Sequence, residues 1–85
     1  MSVEATSDTA FDELKGVLVS IGLDERRLRP EAMREEGGLD SLAVAELVFV
    51  MRREHGVAIT EEEVHEAPTL GEVAGLVGRL RAASR

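Results

Sequence analysis

The apolar residues of this chain recur at helical spacing, and no stretch alternates convincingly as a strand would. Phe11, Leu14, Val17, Leu18 and Ile21 fall at i, i+3, i+6, i+7 and i+10, on one face of an amphipathic helix. Asp8 or Thr9 can cap its start, and Gly22 stands where a left-handed residue ends a helix. Residues 23–39 lose the period, with Pro30 and the Gly37-Gly38 pair as breakers. Leu28, Met33 and Leu39 are spaced to pin this connection onto a core, and so long a loop in a compact domain is uncommon and often functional. The helical pattern resumes from Ser41 to Glu54. A short third helix starts at Thr60, where "TEEE" forms a capping box with Glu63, and "HEAP" ends it. "TLGE" is a second box, Thr69 with Glu72, and opens a last helix with Val73, Leu76, Val77 and Leu80 as its stripe.

These elements predict an all-α four-helix bundle of three longer helices and one short third helix, with the long loop between helices 1 and 2. The expected division is a flexible leader over residues 1–8, a folded domain over 9–82 and a tail over 83–85. Eighty-five residues form one small domain, too short for a deep cleft with several walls. A net charge of −7 argues against nucleic acid and against anionic membrane surfaces as partners. With no cysteine there is no disulfide framework and no thiolate metal site. The start "MSVEATSDTAFDEL" lacks the basic and apolar regions of a signal peptide, and no apolar run approaches membrane-spanning length, so the expected location is the cytoplasm. Nine of the ten basic residues are arginine, a bias compatible with a GC-rich bacterial genome.

The second helix carries two apolar stripes. Val44, Leu47, Val48 and Met51 form an ordinary core stripe, whereas Leu42, Ala45 and Phe49 lie on nearly the opposite side. Either the bundle wraps this helix or the second stripe awaits a partner. Glu46, Arg52 and Arg53 flank it, a charged margin suited to transient docking. At the start of the helix, Asp40 or Ser41 caps the first turn. Catalysis by Ser41 requires a base within hydrogen-bond reach. His55 lies roughly 20 Å along the same helix at 1.5 Å per residue, and His65 sits in an acidic short helix. No nucleophile elbow, phosphate loop or metal-spaced cluster is present, so neither a catalytic residue nor a metal site is expected. The serine is better placed to be modified than to attack: a phosphate ester there meets unpaired N–H groups and the positive end of the helix dipole.

"GLDSL" (Gly38 to Leu42), followed by "AVAEL" and "HGVAITEEEV", resembles the acyl carrier protein family, from about Phe11 to Leu80. The resemblance implies that Ser41 receives 4′-phosphopantetheine from coenzyme A through a phosphopantetheinyl transferase, and that the arm holds acyl or aminoacyl groups as thioesters. By position, Asp40 helps present the site to the transferase and its metal ion. Leu42, Ala45, Glu46 and Phe49 face partner enzymes such as an acyltransferase, a ketosynthase or an acyl- or aminoacyl-activating ligase. In such carriers the cargo can also tuck between helices, here among Leu47, Val48 and Val64.

The acidic residues Glu35, Glu36, Asp40 and Glu46 gather near Ser41 and suit steering of basic enzyme surfaces. Arg52 and Arg53 depart from the acidic residues many family members have late in this helix. They suit the dipole of the helix end, alter partner choice, or both. His55 stands where the family usually has an aromatic residue. Gly71, Gly75 and Gly78 share a face of the last helix and are read mainly as drift, with a close contact as the alternative. The double glycine resembles peptidyl carriers, and "GLDSLAVAEL" resembles polyketide or fatty-acid carriers. The expectation is a monomeric, stand-alone carrier in polyketide or related specialised-metabolite assembly. Fatty-acid synthesis, a peptidyl carrier and a non-carrier interaction module are the alternatives.

Overall fold

The computed structural model describes residues 9–83 in full and, for residues 2–8, the helical backbone alone. The leader expected over residues 1–8 and the end of the tail beyond Ala83 therefore lie outside the fully described residues. Helix α1 spans Ser2–Ser20, so the caps expected at Asp8 or Thr9 fall inside it, with no breaker upstream to stop the backbone. Its apolar face buries Leu14, Val17 and Leu18, with Phe11 and Ile21 half-buried at the margins. Gly22 ends the helix at φ 105°, and paired bonds close it: Gly22 N–H donates to Val19 O and Leu23 N–H to Leu18 O, both at 3.0 Å.

The loop that follows opens with a 3-10 turn at Glu25–Arg27, capped by Asp24. Hydrogen bonds from the Arg26 side chain and N–H hold the Asp24 carboxyl below its ordinary range. Leu28 and Leu39 pin the loop to the core as expected, at 3% and 2% exposure, but Met33 does not, at 43%. Met33 pairs with Thr69 in an isolated antiparallel bridge, and the local chain alternates as a strand does. Ala32 takes the inward position, so Met33 turns outward.

Helices α2 (Ser41–Glu54), α3 (Glu61–His65) and α4 (Leu70–Ala83) complete the bundle. α1 packs against α4 and α2, and α2 against α3; an Arg81–Glu13 ion pair joins α4 to α1. The Thr60–Glu63 box forms with both arms, Thr60 Oγ1 accepting the Glu63 N–H at 3.1 Å and Glu63 Oε1 the Thr60 N–H at 3.0 Å. At α4, Thr69 Oγ1 accepts the Glu72 N–H at 3.2 Å. The long loop satisfies two further orphan donors of α4: Leu70 N–H donates to Ala32 O at 2.9 Å and Gly71 N–H to Pro30 O at 2.8 Å.

That second bond explains Gly71, for which drift is the wrong reading. A Cβ there would stand 2.9 Å from the Pro30 carbonyl oxygen. Gly75 and Gly78 meet nothing closer than ordinary contact. In the core, Leu14, Leu18, Val44, Leu47, Met51, Ile59, Val64, Leu70, Val73 and Val77 are at most 1% exposed. No polar side chain is buried among the described residues.

Candidate functional site

The site is the end of the long loop and the first turn of α2. Residues 33–37 form one turn, closed as a helix end is closed: Gly38 N–H donates to Glu35 O at 3.1 Å and Leu39 N–H to Arg34 O at 2.9 Å. Gly38 adopts φ 87°, which a side chain would oppose. Gly37 is packed closely, since a Cβ there would come within 2.9 Å of Leu70 Cδ1 and that side chain would have to shift. Both glycines are thus accounted for by packing and backbone geometry. Leu39 then anchors the chain in the core immediately before the helix.

Asp40, not Ser41, is the cap. Its extended backbone and its Oδ1, accepting the Ala43 N–H at 2.9 Å, satisfy the first turn. Ser41 is left as the first helical residue, exposed, its hydroxyl without a hydrogen bond among the described residues. Ala43 and Val44, at 6% and 0% exposure, fix the turn from behind. A free hydroxyl is thus carried on a rigid support at the positive end of a fourteen-residue helix.

Of the other expected residues, Leu42 and Phe49 stand out of the surface at 72% and 59% exposure. Glu46, Arg52 and Arg53 are exposed and Ala45 is half-buried on the same helix. The second stripe is therefore unwrapped, while Val44, Leu47 and Met51 of the first are wholly buried and Val48 half so. The Arg53 guanidinium lies over the Phe49 ring, 5.8 Å from its centroid. Glu35 is exposed; Glu36 is partly committed, its Oε1 accepting the Met33 N–H at 2.8 Å to brace the loop turn.

His55 caps the far end of α2, with its N–H donating to Met51 O at 3.2 Å, and His65 closes α3. Neither position is paired with Ser41 as a base. A groove of about 570 Å³ lies between α3 and α4, among Glu63, Glu66, Ala67, Leu76 and Arg79. None of the expected site residues lines it.

Sequence reasoning assigned nothing to Arg34. One of its nitrogens, Nη1, donates to the carbonyls of Val64, His65 and Ala67 at 3.0, 2.9 and 2.6 Å, which closes the C-terminal end of α3. The same residue accepts from Leu39 N–H, so α3 and the loop leading to Ser41 share a fastening. Its partners lie about thirty residues away, and no local pattern announces them.

A family model described as "phosphopantetheine attachment site" matches residues 12–77. No solved structure matches the chain significantly.

Proposed function

Because the chain belongs to the phosphopantetheine-attachment family, whose model covers well over half of it, we propose that Ser41 is the residue that bears the arm. Domains of this family are carriers and not enzymes; they hold a covalent 4′-phosphopantetheine and work with a phosphopantetheinyl transferase and catalytic partners. When bound, the group supplies a thiol on a flexible arm, to which acyl or aminoacyl cargo is joined as a thioester.

The observation that carries the assignment is the separation of roles at the start of α2. Asp40 performs the capping, so the Ser41 hydroxyl is exposed and uncommitted. The helix dipole favours the phosphodiester that attachment creates there. Asp40 Oδ1 is held by Ala43, which orients the carboxylate beside the serine for the transferase and its metal ion. Exposed Leu42, Glu46, Phe49, Arg52 and Arg53, with half-buried Ala45 and the loop acids Glu35 and Glu36, form the face that partner enzymes read.

The cargo reading is polyketide or related specialised-metabolite assembly, supported by the run "GLDSLAVAEL" and by the arginine pair late in α2. The double glycine, which resembles peptidyl carriers, keeps a peptidyl carrier as the alternative, alongside fatty-acid synthesis. No described helix is long and apolar enough to cross a membrane.

Intact-mass measurement after incubation with coenzyme A and a transferase tests the attachment. The native chain should gain one arm, mapped to Ser41, and Ser41→Ala should gain none. A native chain that stays bare, or an arm on another residue, defeats the assignment. Isolating the carrier from its native cell and weighing the arm with its cargo tests the pathway.

A further inference from the structure

Four of the nine arginines of this chain are engaged internally. Arg26 binds Asp24, Arg29 faces Glu31, Arg34 closes α3 and Arg81 binds Glu13. Arg52 and Arg53, like Arg27 and Arg79, are exposed and make no ion pair among the described residues, in a chain with 17 acidic side chains; unlike those two, they lie on α2 beside its exposed apolar residues. Arg53 instead lies on the Phe49 ring.

At 100° per residue, Leu42, Glu46, Phe49 and Arg53 fall within roughly 60° of one another, so they form one strip along α2. The strip changes sign along its length. Glu35, Asp40 and Glu46 make the end near Ser41 negative, Leu42 and Phe49 make it apolar, and Arg52 and Arg53 make the far end positive. The helix dipole accounts for bases in the last turn, but it does not require a guanidinium held over an aromatic ring. With no hydrogen bond or ion pair of its own among the described residues, a guanidinium so placed can offer two donors at once to a carboxylate.

From this we infer that the enzyme docking on this face presents a mixed surface. Basic residues surround the mouth that receives Ser41, an apolar hollow takes Phe49, and a carboxylate roughly 18 Å from the mouth, at 1.5 Å per residue, pairs with Arg53. A partner with a wholly basic docking face is repelled at the far end of α2. The inference rests on the carrier reading of Ser41.

A transferase with a lysine- and arginine-lined docking face serves as probe. It is used unaltered and with each of those basic residues replaced in turn by Glu, and kcat/KM for loading Ser41 is measured. At least one replacement should raise loading of the native chain, by about fivefold, as befits an exposed ion pair gained in place of a repulsion. The gain should vanish with the R52Q/R53Q carrier, whose exposed substitutions keep good helix formers in place. If no replacement speeds loading, or if the gain survives in R52Q/R53Q, the mixed-surface inference is overturned. A native chain loaded by none of these enzymes takes down the carrier reading as well, whereas equal loading of both carriers by every enzyme removes the mixed surface alone.

Discussion

Asp40 and Ser41 are neighbours with the same capping chemistry, and the bond from Ala43 N–H to Asp40 divides their roles. Removing the cap by Asp40→Ala should cost about 1 kcal/mol of folding stability. Ser41→Ala should change stability by less than about 0.5 kcal/mol, because an exposed side chain outside any bond is lost. Urea denaturation of both variants measures the contrast, and equal losses would show that the serine is itself part of the cap. Arg34 is the residue whose importance no inspection of its neighbours in sequence reveals. Arg34→Met takes the side-chain donor from the His65 and Ala67 carbonyls, while Val64 O keeps the Ala67 N–H, and should cost about 1–3 kcal/mol. Faster amide exchange across Val64 to Ala67 than in the rest of the bundle should accompany it; uniform exchange would mean that α3 is held by its packing alone.

At the scale of elements, the helices follow from short-range chemistry. Thr60 with Glu63, Gly22 after α1 and Asp40 before α2 each act over a few residues, and each is visible in the chain as written, Asp40 as one of two candidate caps. Met33 and Gly71 are not, because their environments come from distant segments. The bridge to Thr69 turns Met33 outward, and the Pro30 carbonyl sits where a Gly71 side chain would be. The three glycines of α4 therefore respond differently to the same change. Gly71→Ala forces a Cβ against backbone and should destabilise by about 1–3 kcal/mol, the range for overpacking. Gly78→Ala faces only Ala10 Cβ at 3.8 Å and should stabilise by up to about 1 kcal/mol, the propensity difference between the two residues. Thermal melts of the two variants should move in opposite directions; shifts of the same sign would put the Pro30 contact in doubt.

For the whole molecule, −7 of net charge is spread over a body of 30 × 26 × 22 Å. Self-repulsion is strong in so small a volume, so added salt should raise the melting temperature. The same acidic field draws basic enzyme surfaces, so docking affinity should fall over the same salt range. Measuring both in one buffer series separates them from a nonspecific salt effect: if both rose together, or if docking were flat, steering by the acids near Ser41 would be refuted. The exposed residues Ser41, Leu42 and Phe49 stand on the outside of this small body. The core is built of apolar side chains, with no buried polar side chain among those described.

The order of helices, the capping boxes of α3 and α4, the glycine that ends α1, the burial of one stripe of α2 and the position of a serine at a loop-to-helix junction were determined by the sequence itself, whereas the start of α1 and the choice of Asp40 over Ser41 as cap were not. Each of the former depends on periodicity or on bonds spanning three or four residues. Tertiary structure decided how the second stripe of α2 is left bare, how Ala32 rather than Met33 enters the core, why Gly71 lacks a side chain and what Arg34 grips. Those outcomes depend on segments about thirty or more residues apart meeting at distances near 3 Å, and a pattern read along the chain contains no term for such meetings.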